Sequence, residues 1–183
     1  MKKILLIIIL IMAIFQLVVL ATAIDIGSAA INRATNFGTE FGVASPWIAI
    51  EKNNPANATG VIASVEIWPN ANMTGVYVAT FYVVSGNTLS CRDYEGIGNL
   101  TAGAKRTKAV NLDVQVGDYL GIYWGTGDME FASVSSPGIW VLYSGWFEGE
   151  QAYSFYGDYA ISLYGTGATV EVGGNAIFFG IDF

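Results

Sequence analysis

The chain has 183 residues, 8 of them basic and 15 acidic, with no histidine and one cysteine. This length suits one domain with a real core, and the lack of histidine excludes Ser-His-Asp and Cys-His catalysis and His-ligated zinc or haem. A lone Cys91 excludes an intrachain disulfide, and a net charge of −7 repels phosphate backbones, so nucleic acid is not an expected partner.

Residues 1–23 read as a secretion signal. Lys2 and Lys3 start it, Ile4 to Leu20 is an almost unbroken apolar run, and Ala21-Thr22-Ala23 supplies the small residues of a cleavage site before Ile24. Left uncut, the same run is long enough for a single-span anchor. Residues 24–183 then form a single domain of net charge −9, since the leader carries two lysines and no acid. The expected location is secreted or cell-surface.

From Ile24 onward leucine is sparse, and Val, Ile, Thr, Tyr, Phe and Trp dominate in short stretches broken by Gly, Asn, Ser, Asp or Pro. Such stretches fit pleated strands. Val61 to Trp68 alternates, with Val61, Ala63, Val65 and Ile67 on one expected face, and stops at Pro69-Asn70-Ala71-Asn72. Val76 to Val84 is apolar on both faces, as in a central strand, and Gly86-Asn87 follows as a turn. Lys105-Arg106-Thr107-Lys108 reads as a solvated loop before the alternating strand Val110 to Val116. Three glycosylation sequons, at Asn57, Asn72 and Asn99, fall in expected loops.

An internal echo follows. Gly117-Asp118-Tyr119, an apolar stretch and Gly125-Thr126-Gly127 recur as Gly157-Asp158-Tyr159, an apolar stretch and Gly165-Thr166-Gly167. Gly-Asp makes a tight turn with a side chain able to bond the backbone, and Gly-Thr-Gly closes the strand. Two copies suit two equivalent hairpin corners, with Gly117, Gly125, Gly157 and Gly165 as turn residues. The fold class expected is all-β: an antiparallel β-sandwich of jelly-roll type with about nine or ten strands.

The run Val116 to Tyr123 resembles the strand, Gly-Asp, apolar strand corner of complement-C1q-like and tumour-necrosis-factor-like jelly rolls. Together with Ile24 to Ala30, Asn54 to Gly60 and the second Gly-Asp-Tyr copy, it is similar to secreted modules of unknown function in environmental bacterial and phage-derived proteins. The resemblance covers most of residues 24–167 and implies a shared fold, with no activity to carry over.

Asp118 and Asp158 are the candidate calcium ligands, because exported sandwiches clip loops with carboxylates; each corner supplies a single acid, which is also what a plain turn needs. Asp128 with Glu130, and Glu148 with Glu150, have the i,i+2 spacing from which a carboxylate-based glycan hydrolase or lyase would draw its pair. The densest feature is aromatic and spans Trp140 to Tyr164. Trp140, Tyr143, Trp146, Phe147, Glu148 and Glu150 are the candidate binding residues. Trp146-Phe147 lies between glycines in an expected loop, where a buried ring is hard to arrange and an exposed one stacks on sugars or proteins. The expected function is a non-catalytic extracellular module for adhesion, assembly or binding of a glycan or protein, with a homo-oligomer as a further expectation. A small outer-membrane barrel is the alternative, because Ile177, Phe179, Ile181 and Phe183 alternate at the C-terminus.

Overall fold

A computed structural model describes residues 21–42, 47–143 and 145–169. The tail alternation at 177–183 and the leader's apolar run therefore lie outside the described residues. The strands are β1 (Ala23–Gly27), β2 (Thr35–Asn36), β3 (Trp47–Glu51), β4 (Gly60–Ile67), β5 (Pro69–Ser85), β6 (Thr88–Leu100) and β7 (Arg106–Val114). After them come β8 (Tyr119–Trp124), β9 (Thr126–Ser133), β10 (Ile139–Leu142), β11 (Glu150–Ala152), β12 (Ser154–Tyr156), β13 (Tyr159–Ile161) and β14 (Leu163–Ala168), and a short helix, α1 (Phe37–Phe41), lies between β2 and β3.

Eight strands pair as nested antiparallel hairpins: β1 with β14, β3 with β8, β4 with β7, and β5 with β6. That nesting rolls the chain into a small sheet ordered β1-β14-β4-β7 and a large one containing β6-β5-β8-β3. This is the jelly-roll arrangement of two Greek keys. The larger strand total comes from an insertion between β8 and β14. Its β10 to β13 are only three or four residues long, too short for an alternation to be read from sequence.

Between the sheets lies the main core, in which Ile24, Ile26, Ile62, Ile67 and Leu112 meet Val76, Val78, Leu120, Ile122 and Trp124. Each such side chain contributes about 1.5–3 kcal/mol on burial. Two local expectations are corrected. The β4–β7 register shifts between Ile62 and Ser64, so Ile62 turns inward and Ala63 is exposed; a bulge, not simple alternation, sets that face. β4 does stop at Ile67, before Pro69, but Pro69 to Asn72 is the start of β5 instead of a loop, and Pro69 and Ala71 pair irregularly with Met129 and Asp128 of β9. Proline is tolerated there because the first strand residue need not donate. Of the run Val76 to Val84, the part up to Phe81 lies centrally, between β6 and β8, whereas Tyr82, Val83 and Val84 extend past the β8 pairing and are exposed.

The edge strand β7 is sealed from the opposite sheet. Asn111 N–H donates to Glu95 Oε2 at 2.7 Å, and Asp113 N–H donates to Asp93 Oδ2 at 2.9 Å. Carboxylates from β6 thus occupy amides that would otherwise invite another strand.

The large sheet curls strongly. Ala152 of β11 pairs with Thr88 of β6, while Ser154 of β12 pairs with Val141 of β10. Two residues of chain reach ~7 Å, whereas six strand spacings in a flat sheet would separate β11 from β12 by ~28 Å. The concave side holds a second core of Ile48, Ile50, Ala79, Phe81, Leu89, Trp140, Phe147 and Tyr153. Gly121 makes room for it: a Cβ there would lie 2.5 Å from Phe81 Cε2.

The two Gly-Asp-Tyr corners are not equivalent. At the first, Gly117 takes φ +88, whereas at the second Gly157 is ordinary and Asp158 takes φ +62. The apolar stretch after the first corner is the unbroken β8; after the second it divides at Ser162 into β13 and β14, because Ser162 N–H donates to Glu130 O and its hydroxyl to Ile31 O. Gly125 joins β8 to β9, while Gly165 sits inside β14 opposite Ile26. Replacing Gly117 with valine is therefore expected to cost about 1–3 kcal/mol of backbone strain, and Gly157→Val to stay near neutral. Paired thermal melts check this, and equal losses would contradict the asymmetry.

Candidate functional site

The segment after β10 crosses the concave face of the curled sheet. Gly145 and Gly149 adopt φ +135 and +65, turning Trp146 and Phe147 toward the sheet. Gln151 Nε2 pins the loop by donating to Trp146 O at 3.2 Å and Glu148 O at 2.9 Å. Phe147 is 5% exposed, its ring centroid 5.7 Å from Phe81 and 5.3 Å from Tyr94. The expectation that a ring in this loop is hard to bury is thus corrected for Phe147, because the curled sheet supplies an apolar trough beneath it.

Trp146 is half-buried and stands edge-to-face with three tyrosines: Tyr77 at 4.8 Å, Tyr123 at 5.1 Å and Tyr94 at 5.9 Å. Tyr77 and Tyr123 are register partners on β5 and β8, and Tyr94 reaches over from β6. The hydroxyls of these three tyrosines have no hydrogen-bond partner among the described residues. Tyr94 is 48% exposed, and Glu148 and Glu150, which follow Trp146 in sequence, are exposed as well.

The other aromatic candidates separate. Trp140 is 2% exposed, and its Nε1 donates to Asn87 Oδ1 at 2.9 Å, so it is a wall of the trough and not a contact ring. Tyr143 is exposed, its ring 4.4 Å from Trp47 and its hydroxyl bonded to that of Tyr156. Cys91 packs into the trough, and burial pushes its thiol up to about 12, which makes it a packing group rather than a nucleophile.

The acidic candidates have structural partners. Asp118 is buried, forms a two-pronged pair with Arg92 and accepts Gln115 N–H at 2.8 Å. The Arg92 guanidinium thus already pairs with the carboxylate that the turn presents. Asp158 is exposed, and no group of three metal-ligating side chains occurs among the described residues. Asp128 accepts Gly38 N–H, and the nearly buried Glu130 accepts Arg33 N–H and the Asn70 amide, each at 2.8 Å. These bonds hold β2 and α1 against β9.

The sequence reading missed Glu51. It is fully buried, accepting Asn53 N–H at 2.9 Å and Ile161 N–H at 2.8 Å. Burial pushes it up to about 7, with the amide bonds, Ser28 and the nearby Arg33 opposing. Arg33 meanwhile donates to Ser162 Oγ at 2.9 Å. Tyr77, Tyr94 and Tyr123 were missed as well, although two of them sit at alternating strand positions where an aromatic stripe is visible. No family model matches the chain, and the comparisons with curated proteins and with solved structures return no match.

Proposed function

We propose that this chain is an exported, non-catalytic β-sandwich module that binds a glycan at a cell or particle surface through Trp146 and its three tyrosines. The observation that carries the reading is a half-open indole ringed by Tyr77, Tyr94 and Tyr123 with unpartnered hydroxyls. Sugar C–H faces stack on such rings while sugar hydroxyls bond the phenols, and a phenol left without a protein partner keeps that capacity. Tyrosine also supplies contact area at low entropy cost. The carboxylates that would serve hydrolysis are otherwise engaged at Asp128 and Glu130. The outer-membrane alternative is disfavoured by the exposed Thr107, Asn111, Asp113 and Thr166 on the small sheet, where a membrane barrel presents an apolar band.

The test is capture of the protein on a panel of insoluble polysaccharides and whole cells. Trp146→Ala and Tyr94→Ala are each expected to lower capture about tenfold or more, equivalent to ~1.4 kcal/mol of lost stacking. Trp124→Ala, which removes a buried ring of the main core, is the core control. Undiminished capture by both rim variants would refute the assignment.

A further inference from the structure

At the far end of β3 and β8, ~13 Å from the Trp146 rim by strand rise, a second group of rings surrounds a lysine. Lys52 Nζ lies 4.5 Å from the Phe155 ring centroid and 4.9 Å from that of Trp140. We propose that Lys52 and Phe155 form a second binding site, one that takes the carboxylate of an acidic sugar.

Four observations lead there. Lys52 has no carboxylate within 4.0 Å among the described residues, in a chain where 15 acids outnumber 8 bases. Its sequence neighbour Glu51 points to the opposite face of the strand, where Ile161 and Asn53 hold it. Trp140, fixed from below by Asn87, and Phe155, its register partner on β12, orient the ammonium without neutralising it. Phe155 is 40% exposed, so an apolar ring face lies open beside an uncompensated positive charge. A uronic acid residue offers the matching pair: a flat C–H face for the phenyl ring and a carboxylate on the same pyranose for the ammonium. Phe155 is held close to the backbone there, since a Cβ on Gly138 would lie 3.0 Å from its Cε2.

The experiment compares, on the full chain, a uronic acid oligosaccharide with its carboxyl-reduced neutral counterpart by calorimetric titration. The wild type is expected to favour the uronate about tenfold or more, with a preference that shrinks as salt rises. Lys52→Gln should erase the preference, Lys52→Arg should retain it, and Phe155→Ala should weaken both sugars. Trp146→Ala should leave the preference intact, which separates this site from the rim. Equal binding of the two sugars by the wild type, or a preference that survives in a Lys52→Gln protein with unchanged melting, would overturn the proposal whatever becomes of the rim.

Discussion

Between about pH 4 and pH 8 the fold is expected to lose about 3 kcal/mol through Glu51 alone. In the unfolded chain this carboxyl titrates at an ordinary 4.5, and in the folded protein burial raises it to about 7. Over that window the native state holds a proton that the unfolded chain has released, so each step up in pH favours unfolding. The stabilisation is complete below 4.5 and is gone once pH passes 7. Glu51→Gln removes the titration but turns an amide N–H toward one of the two backbone donors, Asn53 or Ile161, at a fixed cost of about 1–3 kcal/mol. Denaturant midpoints measured across this range should therefore slope downward for the wild type and run lower but flatter for the variant. Parallel slopes would dissociate the effect from Glu51.

The second large effect concerns the trough. Phe147→Ala deletes a ring that fills the concave core against Phe81, Tyr94 and Trp146. Large-to-small changes of this kind cost about 3–5 kcal/mol, which in a domain of this size lowers the melting temperature by roughly 10 °C. Trp146→Ala, removing a half-buried ring, should cost distinctly less. Scanning calorimetry of the two variants decides between them: a Phe147→Ala protein melting within a degree or two of the wild type would mean that the loop does not close the trough in solution.

Composition and period-two alternation made the strands legible because pleated, half-buried backbone selects β-branched and aromatic residues wherever it occurs. The central placement of Val76 to Phe81 and the alternation of β7 follow from that rule. What was not legible depends on distant partners. Ala63 faces out because of a bulge that no local pattern marks. Glu51 looks like the charged end of an apolar strand, yet its burial rests on the amide of Ile161, 110 residues away. The aromatic density from Trp140 to Tyr164 did locate the trough, but burial of Phe147 requires the curl of β3, β5, β8 and β10 beneath it. Repeated Gly-Asp-Tyr triplets suggested equal corners. The same three residues instead take different backbone states, because Ser162 interrupts the strand after one of them.

The pairing of β1 with β14 also dictates when this protein can become whole. Ile24 finds its register partner in Gly167, and Thr22 N–H its acceptor in Thr169. A chain emerging from a ribosome or a translocation pore presents β1 first and must wait for nearly everything else before that strand is matched. Until then Ile24 and Ile26, both buried in the finished core, are open to water and to other chains. Closing so long a loop is entropically slow. A stalled or truncated product ending before residue 164 thus lacks the partner for its first strand and is a candidate for aggregation or proteolysis.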